Sequence, residues 1–244
     1  MKVLILAAGY ATRMYPLTRD IPKPLLLIKG KPIIEYLLED LERDGRIKEY
    51  LIITNHKFYP KFKEWKERLP YRNKIRLLDD GSTENQNRLG AVRDMEYVIN
   101  KMELQEDLFV LAGDNVLDFS LSVFIEEFYH KTCSMVMCYK EKEIEKLRKT
   151  GVAEITEEGI LFHMEEKPED PKGEYAIPPF YLFRKEDLSD ITKGIQAGCN
   201  TDSPGAFLVW FCKQKKVYAM KMPGKRYDIG SIEEYQKKKN HGVG

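Results

Sequence analysis

Residues 6–25 decide the fold of this chain, and they read Leu-Ala-Ala-Gly-Tyr-Ala-Thr-Arg-Met-Tyr-Pro-Leu-Thr-Arg-Asp-Ile-Pro-Lys-Pro-Leu. A short apolar run, residues 3–6, leads into this stretch and is typical of a strand. In residues 32–41, which follow it, apolar side chains recur at helical spacing. The pattern predicts a long loop at the exit of the first strand of an α/β unit, where open α/β sheets bind their ligands.

The residue types in this loop favour a phosphate-bearing ligand. Ala7, Ala8 and Gly9 are small enough for a ligand to approach the backbone, whose amide groups can donate hydrogen bonds to phosphate oxygens. Arg13 and Lys23 add two cations suited to a polyphosphate. Taken alone, Gly-x-x-Thr-Arg is equally typical of an ordinary glycine-containing turn with solvated basic side chains, so only the longer string is specific.

Composition sets the outer limits of the interpretation. The 244 residues, 43% of them hydrophobic, suit a single large α/β domain over residues 1–244. The net charge of +1 favours neither nucleic acid nor a membrane surface, so any anion site must be local. The four cysteines form no Cys-x-x-Cys pair and complete no zinc motif with the four histidines. We expect a cytoplasmic protein with reduced cysteines, no membrane span and no signal peptide.

Strands and helices alternate in the first half of the chain and then give way to successive strands. Strands are expected at residues 50–54, 75–78 and 108–112, and helices at 32–44, 58–69 and 89–99. This alternation favours a doubly wound, Rossmann-like sheet with right-handed crossovers. After a helix at 121–131, strands are expected at 135–139, 152–156, 160–164 and 176–183. These runs predict an antiparallel extension that could cover a second substrate.

The remaining segments give local signals. Residues 141–149 are read as a solvated linker or a charged helix. Ser203 and Pro204 predict the start of a helix that runs to about residue 212. A strand is expected at 217–220, and a capping box of Ser231 and Glu234 predicts the last helix. Residues 237–244 are expected to be frayed.

The whole of residues 6–25 resembles the signature of the sugar-1-phosphate nucleotidyltransferases, also called nucleoside-diphosphate-sugar pyrophosphorylases. The resemblance extends from residue 3 to about residue 235 and implies a catalytic domain only, with no appended acyltransferase. It implies that the loop wraps a nucleoside triphosphate, that Arg13 contacts the departing pyrophosphate, and that Lys23 lies close to the phosphates. The implied nucleotide-binding residues are Leu6, Ala7, Ala8, Gly9, Arg13, Lys23 and Gly90. Ala11 stands where the family commonly has a second glycine, and it keeps that position small.

Two aspartates resemble the family's metal ligands. Asp114 follows the strand expected at 108–112, and a carboxylate at such a strand end can hold Mg²⁺ against triphosphate oxygens. Asp228, in Tyr-Asp-Ile-Gly, resembles the second ligand. In isolation, Gly-Asp-Asn around Asp114 would most often be a tight turn, and Asp228 would flank the start of the helix that Ser231 begins. Arg226 stands where the family often has tryptophan.

Three further positions resemble the sugar-phosphate site of the family. Glu166 would accept hydrogen bonds from sugar hydroxyl groups, Lys167 would pair with the sugar phosphate, and the backbone of Gly151 would lie along the sugar. Residues 79–91 occupy the place where the family reads the nucleobase, and Gly90 would let the base approach the backbone. Pro179 replaces a glycine that is common in the family, which leaves the identity of the sugar open.

The resemblance implies an Mg²⁺-dependent enzyme that joins a nucleoside triphosphate and a sugar 1-phosphate into a nucleoside-diphosphate-sugar and pyrophosphate. Residues up to about 132 would bind the nucleotide, and residues 133–244 the sugar phosphate. The alternatives are a non-catalytic sugar-nucleotide-binding regulatory subunit and a nucleotidyltransferase for a non-sugar phosphorylated alcohol. A glycosyltransferase would have no need of Arg13 and Lys23, and a dehydrogenase would carry Gly-x-Gly-x-x-Gly. A homo-oligomer is compatible with the sequence, which does not determine the nucleobase or the sugar.

Overall fold

The computed structural model describes residues 1–241 of the chain and shows a mixed α/β protein, which confirms the predicted fold class. Its strands are β1 (Lys2–Leu6), β2 (Leu27–Ile28), β3 (Lys31–Pro32), β4 (Glu49–Thr54), β5 (Ile75–Asp79), β6 (Leu108–Ala112), β7 (Asn115–Leu117), β8 (Ser134–Lys140), β9 (Gly151–Ile155), β10 (Leu161–Glu166), β11 (Tyr175–Ile177), β12 (Phe180–Phe183), β13 (Val217–Lys221) and β14 (Arg226–Asp228). Its α-helices are α1 (Ile33–Asp44), α2 (Tyr59–Lys66), α3 (Ala91–Lys101), α4 (Ser122–His130), α5 (Ile144–Leu147), α6 (Ser189–Gln196), α7 (Pro204–Phe211) and α8 (Ile232–His241). Short 3₁₀ helices lie at Thr12–Met14, Lys23–Leu25, Arg72–Lys74, Asn85–Asn87 and Lys185–Asp187.

The chain forms two compact units, each assembled from separate segments. Unit 1 consists of residues 1–88, 112–122 and 223–241, and unit 2 of residues 89–111 and 123–222. The prediction that residues 1–132 bind nucleotide and residues 133–244 bind sugar phosphate concerns ligands, and it stays a prediction.

Unit 1 is built on three parallel strands in the order β1, β4, β5. Residues 50–54 of β4 are all buried, as their near-continuous apolar run predicts for a parallel strand. The buried Asn55 side chain follows this strand; it donates to the carbonyl of Ala8 and accepts from the amide of Phe58, both at 2.9 Å. The bond to Ala8 ties the start of the long loop to the end of β4, and the bond to Phe58 fixes the turn before α2.

The antiparallel pair of β7 and β14 was not predicted from the sequence, and it assembles part of the candidate site. Its register places Asp228 opposite Asn115, the residue next to Asp114. A buried apolar cluster supports the pair and consists of Met14, Leu26, Ile28, Ile33, Val116, Ile229 and Tyr235. Since the cluster joins the long loop to β7 and to the residue after β14, burying it holds these segments together.

Unit 2 is built on antiparallel strands in the order β10, β9, β11, β8, β12, β6, and β13 adds to β8 in parallel. This arrangement confirms the expected antiparallel extension. Helices α3, α6 and α7 pack against one another in the same unit.

Several boundaries differ from the predictions for local physical reasons. Residues 176–183 form two strands rather than one, because Pro178 and Pro179 have no amide hydrogen to donate to a ladder. Helix α3 begins at Ala91 rather than at residue 89, because Gly90 has a non-helical backbone with φ 90° and ψ 151°. The segment 141–149 contains the one-turn helix α5.

The tail also differs from the prediction. The expected fraying of residues 237–244 was wrong for residues 237–241, which belong to α8, and residues 242–244 lie outside the described residues. Within residues 1–241, no helix combines the length and the apolar character that crossing a membrane requires.

Two glycines with positive φ in unit 2 permit a matched test of packing. An added Cβ at Gly90 would lie 2.4 Å from the carbonyl oxygen of Thr201, whereas nothing lies within 4 Å of one at Gly198. We expect Gly198→Ala to cost about 1 kcal/mol of unfolding free energy from backbone strain alone. We expect Gly90→Ala to cost at least about 2 kcal/mol more, because the Thr201 carbonyl must move. Urea unfolding measures both, and equal losses would contradict the close approach at Gly90.

Candidate active site

Most of the residues predicted to bind the nucleotide line one cavity in unit 1. The cavity has a volume of about 190 Å³. Among the predicted site residues, those lining it are Leu6, Ala7, Gly9, Arg13, Lys23 and Asp114. Ala8 is buried, and its carbonyl is taken by Asn55. The structure therefore brings together the small-residue loop, two cations and one of the two predicted metal ligands.

The turn of the loop is formed by Ala11 in a left-handed conformation, with φ 47° and ψ 42°. Its carbonyl accepts hydrogen bonds from the Thr18 hydroxyl at 2.8 Å and from the Met14 amide at 2.9 Å. Non-glycine residues pay a cost in this region of about 1–2 kcal/mol, and two bonds to one carbonyl help to hold the conformation. The position needs a left-handed backbone as well as a small side chain, which the sequence alone did not show.

Lys23 lies between the two predicted metal ligands. Its side chain is nearly buried, and Nζ is 2.6 Å from Oδ2 of Asp114 and 3.5 Å from Oδ1 of Asp228. Burial by itself would lower the pKa of Lys23, but the two carboxylates outweigh it and raise the pKa. Burial likewise opposes ionisation of Asp114, yet the ammonium of Lys23 lowers the pKa of that carboxyl group. The pair of Lys23 and Asp114 is therefore ionised, and the single Lys23 ammonium lies against both aspartates.

Arg226 and Asn115 close this arrangement into a ring. The Arg226 guanidinium donates to Oδ1 of Asn115 at 2.7 Å and lies 3.4 Å from Oδ2 of Asp228. The Asn115 amide donates to Oδ1 of Asp114 at 3.0 Å. The ring thus contains two cations and two carboxylates, with the Asn115 amide between Asp114 and Arg226. Arg226 adds a second positive charge where the family often has tryptophan.

The donor set of the ring fits Mg²⁺ bound together with a polyphosphate. Among the described residues, no group of three or more His, Cys, Asp or Glu side chains is placed to hold a metal ion. Mg²⁺, however, is usually held by one or two carboxylates together with phosphate oxygens and water. Asp114 and Asp228 match this pattern, because both approach one ammonium group and Asp114 lines the cavity. The Mg²⁺ assignment stays a prediction.

The predicted sugar-phosphate residues lie together in unit 2. Glu166 ends β10 and pairs with Gly151 of β9 in the sheet register. Its Oε1 accepts a hydrogen bond from the Ser203 hydroxyl at 2.7 Å, and Nζ of Lys167 lies 3.9 Å from the same oxygen. Burial raises the pKa of Glu166, although the Ser203 hydroxyl and the charge of Lys167 oppose the rise.

Lys167 occupies a strained backbone position, with φ 49°. Its amide donates to the carbonyl of Thr150, and its side chain is about half exposed, at 49%. A non-glycine residue with this conformation persists only where its surroundings fix it. The left-handed backbone of Lys167 turns the chain immediately after Glu166, and the Lys167 side chain stays accessible.

Gly90, predicted to approach a nucleobase, makes a close approach of another kind. The amides of Ala91 and Val92, at the start of α3, donate to the carbonyls of Asp202 and Thr201 at 3.2 and 3.0 Å. The lack of a side chain at Gly90 leaves space for the Thr201 carbonyl. A role for Gly90 in base binding stays a prediction.

Three residues of these sites were not assigned roles from the sequence. Asn115 was given no role, Arg226 was noted only as standing where the family often has tryptophan, and Ser203 was noted only as a helix start. Their side chains act through partners 111 and 37 positions away along the chain. No local pattern signals such pairs.

Comparisons with known proteins show the family to which this chain belongs. The family model described as "Nucleotidyl transferase" matches residues 2–241, so the chain belongs to the nucleotidyl transferase family. This confirms the resemblance to the sugar-1-phosphate nucleotidyltransferases. The chain is 28% identical over 236 residues to the bifunctional protein GlmU of Methanocaldococcus jannaschii, covering 94% of this chain and 51% of that protein.

Two further relatives bear on the fold and the class. The glucose-1-phosphate thymidylyltransferase of Mycolicibacterium smegmatis is 30% identical over 204 residues, covering 80% of this chain and 65% of the relative. The chain thus spans about half to two thirds of these curated relatives. A solved UDP-glucose pyrophosphorylase complexed with UDP-glucose has a TM-score of 0.80 at 24% identity, covering 98% of this chain and 97% of that one. This likeness shows a shared fold.

The ring in unit 1 predicts a stability loss on removing its second cation. We expect Arg226→Gln to lower the free energy of unfolding by about 2 kcal/mol, because Asn115 and Asp228 lose a charged donor. Much of the loss should come from the bond to buried Asn115, since Asp228 is half exposed. Urea unfolding measures the change, and Lys225→Gln, at the exposed neighbouring residue, should stay within about 0.5 kcal/mol. Equal effects of the two substitutions would show that the ring does not stabilise the fold.

The raised pKa of Glu166 predicts a pH-dependent effect of Glu166→Gln. The native state holds the proton of this carboxyl group more tightly than the unfolded chain does. Its contribution to stability is therefore fully present below the ordinary glutamate pKa of about 4.3, and is lost as the pH rises through the raised pKa. Glutamine cannot ionise, so we expect Glu166→Gln to melt above the parent at pH 7, with the advantage disappearing near about pH 4.

Thermal unfolding between about pH 4 and pH 8 measures this effect. Glu157→Gln, at an exposed residue of the turn after β9, is the control and should show no such gain. A Glu166→Gln melting temperature below that of the parent at pH 7 would contradict the destabilising ionisation.

Proposed function

We propose that this protein transfers a nucleotidyl group from a nucleoside triphosphate to a sugar 1-phosphate and releases pyrophosphate. The observation that carries the proposal is the unit 1 cavity, where a small-residue loop, Arg13, Lys23 and Asp114 line one space. A polyphosphate needs amide donors, cations and a metal-binding carboxylate, and these residues supply all three kinds. Membership of the nucleotidyl transferase family supports the same reaction class.

The reaction is an in-line displacement at the α-phosphorus of the triphosphate. A phosphate oxygen of the sugar 1-phosphate forms the new P–O bond, and the bond to the bridging oxygen of pyrophosphate breaks. The attacking oxygen is already anionic near neutral pH, so no general base has to remove a proton. Catalysis therefore rests on positioning and on balancing negative charge.

The residues of unit 1 have the roles that the triphosphate requires. Leu6 belongs to β1 and the Ala7 amide donates to the Ile53 carbonyl at 2.9 Å, so the amides of Ala8 and Gly9 would bind phosphate oxygens. Arg13 and Lys23 would balance the charge of the departing pyrophosphate. Asp114 and Asp228 would hold Mg²⁺, which supplies further positive charge at the phosphates when bound. The ring partner Asn115 would orient Asp114 through its amide.

The residues of unit 2 have the roles that the sugar phosphate requires. Lys167 would pair with the attacking phosphate group, and its exposed ammonium is accessible for this purpose. Glu166 would accept hydrogen bonds from sugar hydroxyl groups, and the backbone of Gly151 would lie along the sugar. Gly90, also in unit 2, would have a different role and lie near the nucleobase of the triphosphate.

The decisive experiment is pyrophosphate release across CTP, UTP, dTTP, GTP and ATP, combined with a panel of sugar 1-phosphates, with Mg²⁺ and with EDTA. We expect at least one productive pair that depends on Mg²⁺, which would also identify the base and the sugar. No release from any pair, combined with nucleotide-sugar binding in a thermal-shift assay, would replace the proposal with the regulatory-subunit reading. Release only with a phosphorylated alcohol outside the sugar panel would reassign the acceptor.

A pair of arginines in the long loop gives a matched test of the cavity. Both arginines are exposed, but Arg13 lines the cavity and Arg19 lies against the Tyr15 ring. We expect Arg13→Ala to lower kcat about a hundredfold, because the pyrophosphate loses a cation as its charge develops. Arg19→Ala should leave kcat within about twofold of the parent, and steady-state pyrophosphate release measures both. Similar losses in both variants would point to a general effect of charge rather than to a contact in the cavity.

A further inference from the structure

The Ser203 hydroxyl does not cap helix α7, although Ser203 is the residue that precedes the first turn of that helix. Ser203 is the N-cap of α7, a position where a serine oxygen usually accepts a hydrogen bond from a first-turn amide. Its side chain makes no capping bond; the hydroxyl donates to Oε1 of Glu166 at 2.7 Å instead. The amide of Ala206 bonds to the Ser203 carbonyl. A favourable local interaction is thus forgone for a contact with a carboxylate 37 residues away.

Main-chain contacts fix the position of Ser203. The two residues before it, Thr201 and Asp202, accept the first amides of α3 through their carbonyls. Removing the hydroxyl leaves these anchors in place. Ser203→Ala is therefore expected to fold, and it removes a single hydrogen-bond donor from Glu166.

The second oxygen of the Glu166 carboxylate, Oε2, packs closely against the glycine backbone. An added Cβ at Gly205 would lie 2.1 Å from Oε2, so the missing side chain of this glycine leaves the space that the oxygen fills. A Cβ at Gly151 of β9 would meet the Met164 methyl group first, at 2.4 Å, and would lie 3.1 Å from Oε2. One carboxylate oxygen is thus held by the Ser203 hydroxyl and the other lies in the space left by Gly205, while 16% of the side chain stays exposed.

The hydrogen-bonding character of the pair limits what it can bind. An ionised carboxylate only accepts hydrogen bonds. The Ser203 hydroxyl donates its one hydrogen to Glu166, so its oxygen can otherwise only accept. Both groups therefore present acceptors. A ligand that meets them must donate, as the hydroxyl groups of a sugar can, and a ligand without a donor there leaves one of these acceptor positions unsatisfied.

We propose that Ser203 is a positioning residue that fixes the Glu166 carboxylate to accept a hydrogen bond from a hydroxyl group of the sugar 1-phosphate. The inference rests on the proposed function, and it adds the residue that sets the sugar specificity. Ser203 acts through Glu166, so its loss should affect the sugar and leave the nucleotide unaffected.

The test compares Ser203→Ala, Ser203→Thr and the control Ser189→Ala, at an exposed serine that begins α6. The first readout is the pKa of Glu166, measured as the pH dependence of its side-chain ¹³C signal by NMR of the labelled protein without ligand. The Ser203 bond favours the charged form, so its loss in Ser203→Ala should raise this pKa further. Ser203→Thr keeps a hydroxyl and should restore the parent value, and Ser189→Ala should leave it unchanged.

The second readout is steady-state kinetics with glucose 1-phosphate, or with the sugar 1-phosphate that the substrate panel returns, and with its monodeoxy derivatives. We expect Ser203→Ala to raise KM for the sugar 1-phosphate about tenfold, with kcat and KM for the nucleotide within about twofold. One monodeoxy derivative should already bind weakly to the parent and should lose little more in Ser203→Ala, because the same contact is missing.

The outcomes separate the two proposals. An unchanged pKa of Glu166 in Ser203→Ala would overturn the positioning role whatever the enzyme does. A raised pKa with an unchanged KM for the sugar 1-phosphate, in an active enzyme, would overturn the link to the sugar. Absence of turnover in the parent with every sugar 1-phosphate would overturn the proposed function and the ligand assignment together, while the pKa would still decide whether Ser203 holds Glu166.

Discussion

The candidate phosphate site depends on the buried ammonium group of Lys23. Two carboxylates close together repel each other, and burial makes that repulsion stronger than it would be in water. Nζ of Lys23 contacts both Asp114 and Asp228, although the three residues are separated by 91 and 205 positions in the chain. The contact lets two negative side chains share one place in a folded unit. Arg226 and Asn115 extend the same balance of charge, so side chains of the protein itself hold the carboxylates in place.

In unit 2, other groups pack closely against the backbone at several glycines. The space of a missing side chain is filled by the Glu166 carboxylate at Gly205, by the methyl group of Met164 at Gly151, and by a carbonyl group at Gly90. These glycines are needed because another group lies where a Cβ would be, and at Gly90 the backbone is also one that other residues avoid. The candidate sugar site is thus shaped by absent side chains as much as by present ones.

The sequence predicted elements whose signals are local and repetitive. The buried run of β4, the apolar stripe of α1 and the strand β6 were placed to within one residue at each end, because hydrophobic periodicity records burial directly. The start of α3 and the break between β11 and β12 were misplaced, since each depends on the backbone of one glycine or one proline pair. The pair of β7 and β14 was missed, because strands of three residues are too short to show a period.

The sequence by itself determined the α/β class and the family, and it singled out the long loop with Arg13 and Lys23, the two aspartates and Glu166 as candidate site residues. These depend on residue types and on their order, which the chain states directly. Only the tertiary structure decided that Lys23 joins Asp114 to Asp228, that Arg226 closes the ring, and that the Ser203 hydroxyl turns from its helix to Glu166. Such contacts join residues far apart in the chain, and their geometry is set by packing and by β-register, for which no short stretch of sequence carries a signal.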